Sequence, residues 1–261
     1  MVRRRANVLA FFFLSLLVLS IYYFMHSPYF AVSKITVTGL TLLEEEDLIR
    51  LSGIRNGENL WRLNSNRVRE QLTFHPQVKD VEVLRSWPSE VQLKVEERKP
   101  TAVLVEGSYF ILLDQEATYL RSLQSLQGFP LPVITGVEVP AQVGPGQTIH
   151  SKALKQALDL CYQLDSALLL RIGEVHVGVE SRIVLYTSEG IEIRFGVVER
   201  ISEKEALLKE ILNELAMSGE LKKVRYIDLS SPKAPAIKPK DGVALQGIKS
   251  MGVTIGEGIY D

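Results

Sequence analysis

The chain has a single cysteine, Cys161, among 261 residues, so no internal disulfide can form. A domain without disulfides has to rest on its own packed core. Cys161 itself falls within an apolar helical stripe, where a small core residue is expected. Histidine is almost as scarce. His26, His75, His150 and His176 are scattered, and none shows the His-Glu-x-x-His spacing that sets two metal ligands on one helical face. No Gly-x-Ser-x-Gly elbow occurs. Gly144-Pro145-Gly146 lacks the third glycine and the preceding strand of a nucleotide-binding loop. Ser202-x-Lys204 and Ser231-x-Lys233 are pairs that arise easily by chance, and Ser202 is better placed as a helix cap. Glu44, Glu45 and Glu46 open a helix and suit its dipole. Glu96 and Glu97 alternate on a strand, so only one of them can face any given site. His176 lies on the polar face of a strand, where solvation is expected. No catalytic residue, metal ligand or cofactor site is expected from these patterns. Net charge is also small, with 30 basic against 31 acidic residues. That balance excludes an electrostatic nucleic-acid binder.

Long hydrophobic runs are absent except for one. Ala6 to Met25 carries no charge, and as a helix it would cover about 30 Å, the thickness of a bilayer's hydrocarbon core. Arg3, Arg4 and Arg5 precede it, and the positive-inside rule keeps such residues in the cytoplasm. Tyr22 and Tyr23 stand near the far end, where aromatic rings favour the interface. A cleaved signal would have an apolar stretch of about 7–15 residues with a small-x-small site soon after it. The nearest candidate here, Ala31-Val32-Ser33, lies beyond Pro28 and Phe30. The expectation is a retained anchor at 6–25, a cytoplasmic tail at 1–5, and everything after Met25 across the membrane. Without Arg3–Arg5 that outer part holds 27 basic and 31 acidic residues, a net charge of −4.

Beyond the anchor, Ile35 and Val37 alternate with Lys34, Thr36 and Thr38 as a half-buried strand that Gly39 ends. Glu44–Leu51 and Arg67–Thr73 read as short helices, the second capped by Ser65 or Asn66. Val81 and Val83 begin a strand. After a Trp87-Pro88-Ser89 turn, Val91, Leu93 and Val95 alternate with Gln92, Lys94 and Glu96. The order strand, helix, helix, strand, strand makes a compact module in which two amphipathic helices cover one face of a small sheet.

These residues resemble a known family. Phe30–Gly39 resembles the opening of a POTRA domain, and Gly57-Glu-Asn-Leu60 its inter-helix loop. The run from Val81 through Arg85, Trp87 and Pro88, followed by Val91 to Glu97, Arg98 and Pro100, is similar to the variant found in the FtsQ/DivIB cell-division family. Gly39, Arg85, Trp87, Pro88, Glu97, Arg98 and Pro100 form its signature. One departure stands out: family members often continue with an Asp-x-x-Gly turn, whereas this chain has Asp114-Gln-Glu-Ala117.

After Pro100, a hairpin is predicted around Gly107-Ser108, then loops with a short Val133-Ile134 strand between Gly128 and Gly146. A helix follows from Ser151 to Asp165, with Leu154, Leu158, Cys161 and Leu164 on one face. Three strands come next, the last two joined at Ser188-Glu189-Gly190. A second helix is capped by Ser202 with Glu205 as its capping-box partner. Val224, Arg225, Tyr226, Ile227, Asp228 and Leu229 form a closing strand. From Pro232 the chain is rich in Pro, Gly and Lys, and most of it is expected to be mobile. The resulting class is α+β: an anchor, a POTRA domain at 30–99, a mainly β domain with two helices at 100–232, and a flexible tail at 233–261.

What remains as a candidate site is surface. A closing strand is often a sheet edge whose free N–H and C=O groups can accept a strand from another protein. Val224 to Leu229, continued toward Ile237, is that candidate. The other reading is an edge protected by its own tail, which Pro232, Pro235 and Pro239 favour. The family resemblance implies a non-enzymatic scaffold of the bacterial divisome, in the cell (inner) membrane with its N-terminus cytoplasmic, enriched at the septum. It implies that the scaffold links early and late division proteins, engages the FtsB/FtsL pair through this edge, and meets other divisome proteins through POTRA domain and anchor. A POTRA-type chaperone would usually precede a β-barrel of many alternating strands, for which the chain shows no pattern. An anchored envelope enzyme would require a catalytic constellation.

Overall fold

The computed structural model describes residues 2–140, 142–245 and 254–255. The chain divides into two compact units, Met1–Arg98 and Lys99–Asp261.

The first unit opens with helix α1, Val2–Met25, longer at its start than the run from Ala6. Its described apolar side chains, Leu9 to Phe24, stand exposed. Among the described residues, no helix is long and apolar enough to cross a membrane. A three-stranded sheet follows, made of β1 (Lys34–Thr38), β2 (Val78–Ser86) and β3 (Glu90–Glu97) in the order β1-β3-β2. β3 is central: it runs parallel to β1, pairing Ile35 with Val91, and antiparallel to β2, pairing Val81 with Val95. The alternation predicted for β3 is real, since Val91, Leu93 and Val95 are buried. Helices α2 (Glu45–Ser52) and α3 (Ser65–Thr73) contribute Leu48, Val68 and Leu72 to the same core. The cap of α3 is Asn64 rather than Ser65 or Asn66, because the helix starts at Ser65 and the Asn64 side chain reaches the Arg67 N–H at 3.1 Å.

The second unit is one ten-stranded sheet. Its strands are β4 (Pro100–Glu106), β5 (Tyr109–Asp114), β6 (Tyr119–Leu123), β7 (Val133–Thr135), β8 (Ile172–Val177), β9 (Ile183–Thr187), β10 (Glu192–Gly196), β11 (Val224–Asp228), β12 (Ala236–Pro239) and β13 (Thr254–Ile255). They lie in the order β13-β12-β11-β10-β9-β8-β7-β4-β5-β6. Helices α4 (Lys152–Gln163) and α6 (Ile201–Met217), with the one-turn α5 (Ser166–Leu169), cover one face. Leu154, Leu158, Cys161 and Leu164 are all buried there, as the stripe predicted. The opposite face over β4, β5 and β6 is covered more lightly, by Leu126, Phe129 and Leu131 packed on Val103, Leu112 and Leu120.

Three expectations are corrected. Ser202 is not the cap of α6. The helix starts at Ile201, Arg200 holds the cap position with a left-handed backbone (φ 53°), and Glu205 turns away to accept the Asp165 N–H at 3.0 Å. Val224–Leu229 is not a free edge, because β11 pairs in parallel with β10 and antiparallel with β12. The tail, expected to be mostly mobile, holds strands at residues 236–239 and 254–255. Residues 246–253 and 256–261 of that expected tail lie outside the described residues.

Candidate functional site

The signature residues of the first unit build its scaffold. Gly39 has φ 89°, and a Cβ there would sit 2.1 Å from the Val95 carbonyl oxygen, so no other residue fits without moving β3. The Glu97 carboxylate accepts three successive backbone N–H groups, from Thr41 at 2.9 Å, Leu42 at 2.9 Å and Leu43 at 3.0 Å. Those bonds tie the turn before α2 to the end of β3. Glu96 points the other way and pairs with Lys79 at 2.8 Å. Arg85 donates from Nη2 to the Leu63 carbonyl at 2.6 Å, pinning the loop before α3 to β2. The Arg98 N–H donates to the Gln77 carbonyl at 2.8 Å, where the first unit ends. Pro100 begins β4, opposite Asp114. Trp87 and Pro88 form the β2–β3 turn, and the Trp87 ring lies 4.2 Å from that of Trp61. His75 is partly enclosed beneath α3. Burial holds its imidazole below the ordinary range, against the opposing pull of Asp47 and Glu97.

In the second unit, the predicted partner residues divide by face. Val224, Ile227, Leu229 and Ile237 are buried in the core. Tyr226 and Asp228 lie on the other face. The Arg194 guanidinium stacks 3.8 Å above the Tyr226 ring, and the Asp228 carboxylate accepts the Ser230 N–H at 2.9 Å. A polar row crosses neighbouring strands there, Glu174 beside Tyr186, Glu192, Tyr226 and Lys238. His176 on this face is half-buried and partnered. Thr135 Oγ1 lies 2.8 Å from its Nδ1 and donates to the Glu174 carboxylate at 2.6 Å.

The sheet continues two strands beyond the expected edge. β12 pairs Lys238 with Tyr226, Ile237 with Ile227 and Ala236 with Asp228. Among the described residues its outer side meets β13 in parallel over Ala236 and Ile237, with the Thr254 N–H donating to the Pro235 carbonyl at 3.0 Å. Sequence reasoning named Ile237 but missed β12 as a strand. The four-residue strand Ala236–Pro239 buries alternate residues, Ile237 and Pro239, but so short a run with a proline in it gives no periodic signal in the sequence. The prolines that argued for a self-protected edge were the usable signal.

Two buried groups look reactive and have structural roles. Lys204, 2% exposed, donates to the carbonyls of Phe195 at 2.7 Å and Val197 at 2.9 Å, and its Nζ sits 4.7 Å above the Phe195 ring. Burial lowers its pKa, and the two carbonyls fix the end of β10 to α6. Ser202, two residues away, is exposed on the same helix. The Cys161 thiol is pushed up to about 12 by burial, which leaves it protonated and unreactive at neutral pH. Among the described residues, no group of three His, Cys, Asp or Glu side chains could hold a metal ion.

Residues 30–98 match the family model of the FtsQ-type POTRA domain, and residues 102–230 that of the cell division protein FtsQ/DivIB C-terminal region. The cell division protein FtsQ of Anaeromyxobacter sp. (strain K) is 30% identical over 200 residues, covering 76% of this chain and 67% of the relative. The FtsQ of Myxococcus fulvus is 28% identical over 206 residues, covering 77% and 71%. The cell division protein DivIB of Geobacillus kaustophilus is 26% identical over 243 residues, covering 91% and 87%. With both units matched in order and the signature residues at their structural posts, the chain belongs to the FtsQ/DivIB family of cell-division proteins.

Proposed function

We propose that this divisome protein is a membrane-anchored, non-enzymatic scaffold that receives the FtsB/FtsL pair at the β12 end of its large sheet. The observation that carries the reading is the edge itself. Beyond β11 the sheet runs on through β12, and among the described residues its outer side is met by β13 at Thr254–Ile255 alone. An incoming extended segment would add there through backbone hydrogen bonds, with Lys238 and Tyr226 on the open face to choose its side chains. The partner contact named for β11 thus moves one strand outward, to Ala236–Pro239, with Ile237 in both. The anchor reading is supported by the charge-free stretch at 6–25 and by apolar side chains from Leu9 to Phe24 that are exposed and need a nonaqueous cover. It places the N-terminus in the cytoplasm and both units outside, with POTRA domain and anchor meeting other divisome proteins at the septum.

Two truncations of the full-length protein test the edge. A chain ending at Leu245 keeps β12 and should capture the FtsB/FtsL pair at least as well as the whole protein. A chain ending at Lys233 loses β12 and should lose the pair. Melting of the second unit is followed in both, because removing β12 also uncovers Ile227. Undiminished capture by a folded chain ending at Lys233 would place the contact elsewhere.

A further inference from the structure

Both tryptophans of the chain, Trp61 and Trp87, lie in one exposed cluster beside the end of α1. They are 44% and 47% exposed, with ring centroids 4.2 Å apart. Phe30 joins them to the helix: its ring lies 5.9 Å from Trp61, 5.8 Å from Trp87, 5.3 Å from Tyr29 and 5.2 Å from Phe24 in the last turn of α1. Polar bonds hold the same junction. Asn59 donates from Nδ2 to the Met25 carbonyl at 2.8 Å, and Arg62 reaches the His26 ring at 3.1 Å. Neither indole N–H has a hydrogen-bond partner among the described residues. A soluble surface rarely leaves two contacting tryptophans so open without a use for them.

A basic cleft of about 760 Å³ shares Arg62 with this junction. Arg55, Arg62 and Arg67 line it with one acidic residue, Glu58, and none of the three arginines makes an ion pair among the described residues. Position along the chain says what would cover this surface. A helix that begins its apolar run at Ala6 and rises about 1.5 Å per residue carries Phe24 to the far boundary of a hydrocarbon core of about 30 Å. Rings linked to Phe24 through Phe30 then stand at the level of the lipid headgroups, where Trp and Tyr are favoured and an indole N–H finds phosphate or ester oxygens.

We infer that Tyr29, Trp61 and Trp87 seat the POTRA domain on the outer headgroup layer of the membrane, with Arg55, Arg62 and Arg67 meeting anionic lipid headgroups. This rests on the anchor reading. The POTRA domain is then held at a fixed height and orientation instead of swinging on a tether, which would set how far from the bilayer its partners are met.

The two tryptophans make the test direct, since all indole fluorescence comes from this cluster. The full-length protein is placed in nanodiscs of phosphatidylcholine with phosphatidylglycerol, some carrying bromines just below the ester groups of the lipid. The same protein in proteoliposomes is first extracted with alkaline carbonate. Release there overturns the anchor reading and the seating with it. In retained protein, bromolipid should quench the emission about twofold, and aqueous acrylamide should quench it weakly. Trp61→Phe and Trp87→Phe singly should each keep the quenching of the remaining ring. Retained protein whose emission ignores bromolipid and yields freely to acrylamide overturns the seating alone. Quenching should weaken in phosphatidylcholine without the anionic lipid, and equal quenching in both bilayers would overturn the part assigned to the arginines.

Discussion

The two units solve the same problem by different means. The first has a three-stranded sheet under two helices of eight and nine residues, and its β1 has no fully buried residue. So small a core leaves loops to be fixed by single polar clamps: Glu97 on three N–H groups, Arg85 on the Leu63 carbonyl, Asn59 on Met25. The second unit lays long helices on a ten-stranded sheet and buries a continuous apolar layer from Ala102 to Ile237. Lys204, one of its buried charges, is satisfied by two carbonyls. Small modules are specified by few irreplaceable contacts, whereas large sheets are specified by pattern.

The largest effect that would sharpen this contrast is expected from Val91→Asp. Val91 is fully buried in the central strand of the small sheet, and an unpaired carboxylate there costs about 3–5 kcal/mol. That is a large share of the stability of a module this size. Limited proteolysis of the full-length protein should show residues 30–98 cut early while the second unit stays protected. Loss of both units together would show that they do not fold separately.

A smaller effect separates the units by pH. Cys161 ionises at its ordinary value of 9.0 in the unfolded chain, but only at about 12 when folded. The unfolded state therefore binds fewer protons above pH 9, and stability present below that pH is lost as pH rises toward 12. At pH 10 this thiol alone weakens the second unit by about 1.4 kcal/mol, so the stability difference between wild type and Cys161→Ala should change by about that amount between about pH 8 and pH 10. His75 acts in the first unit with the opposite sense. Its pKa is lowered on folding, so the stability it confers is present above 6.5 and falls as pH drops through the folded value. Urea midpoints followed separately for each unit should then fall with alkali, relative to Cys161→Ala, in the second, and fall as pH drops below 6.5, relative to a His75→Gln variant, in the first. A common response of both units to either change would erase the distinction.

Much of this was legible from residues. Alternation in β3 and the stripe of α4 named the buried side chains because each element has one apolar face and a regular period. The closing region was misread for the opposite reason. β12 is four residues long, and its strand geometry comes from pairing with β11 rather than from its own pattern. The cap of α6 misled because Ser202 and Glu205 have the right spacing, yet Glu205 is drawn to the Asp165 N–H and to Lys209, contacts distant in sequence or set by the helix that follows. The tryptophan cluster was invisible because Trp61 and Trp87 come from separate loops that only the fold brings together.

The smallest expected effect concerns the turn where this chain departs from its family. Ala117 occupies the position at which a glycine is usual, and it does take a left-handed backbone, φ 61°. Asp114 holds the turn by accepting the N–H groups of Glu116 at 2.9 Å and Thr118 at 2.7 Å. A left-handed alanine costs about 1–2 kcal/mol, which Ala117→Gly would relieve. The same change removes a buried methyl, 2% exposed, worth about 0.8 kcal/mol. It also gives the unfolded chain more freedom to lose, about 0.4–1 kcal/mol. The three nearly cancel, so Ala117→Gly should leave the melting of the second unit within about 0.5 kcal/mol of wild type. Gly39 in the first unit has no such latitude, since its missing Cβ is where the Val95 carbonyl already stands. A stabilisation above about 1 kcal/mol would mean that the methyl contributes little and that the strain at Ala117 is carried unrelieved. Then the large sheet, like the small module, would depend on single backbone positions, and the contrast between the two units would fail at this turn.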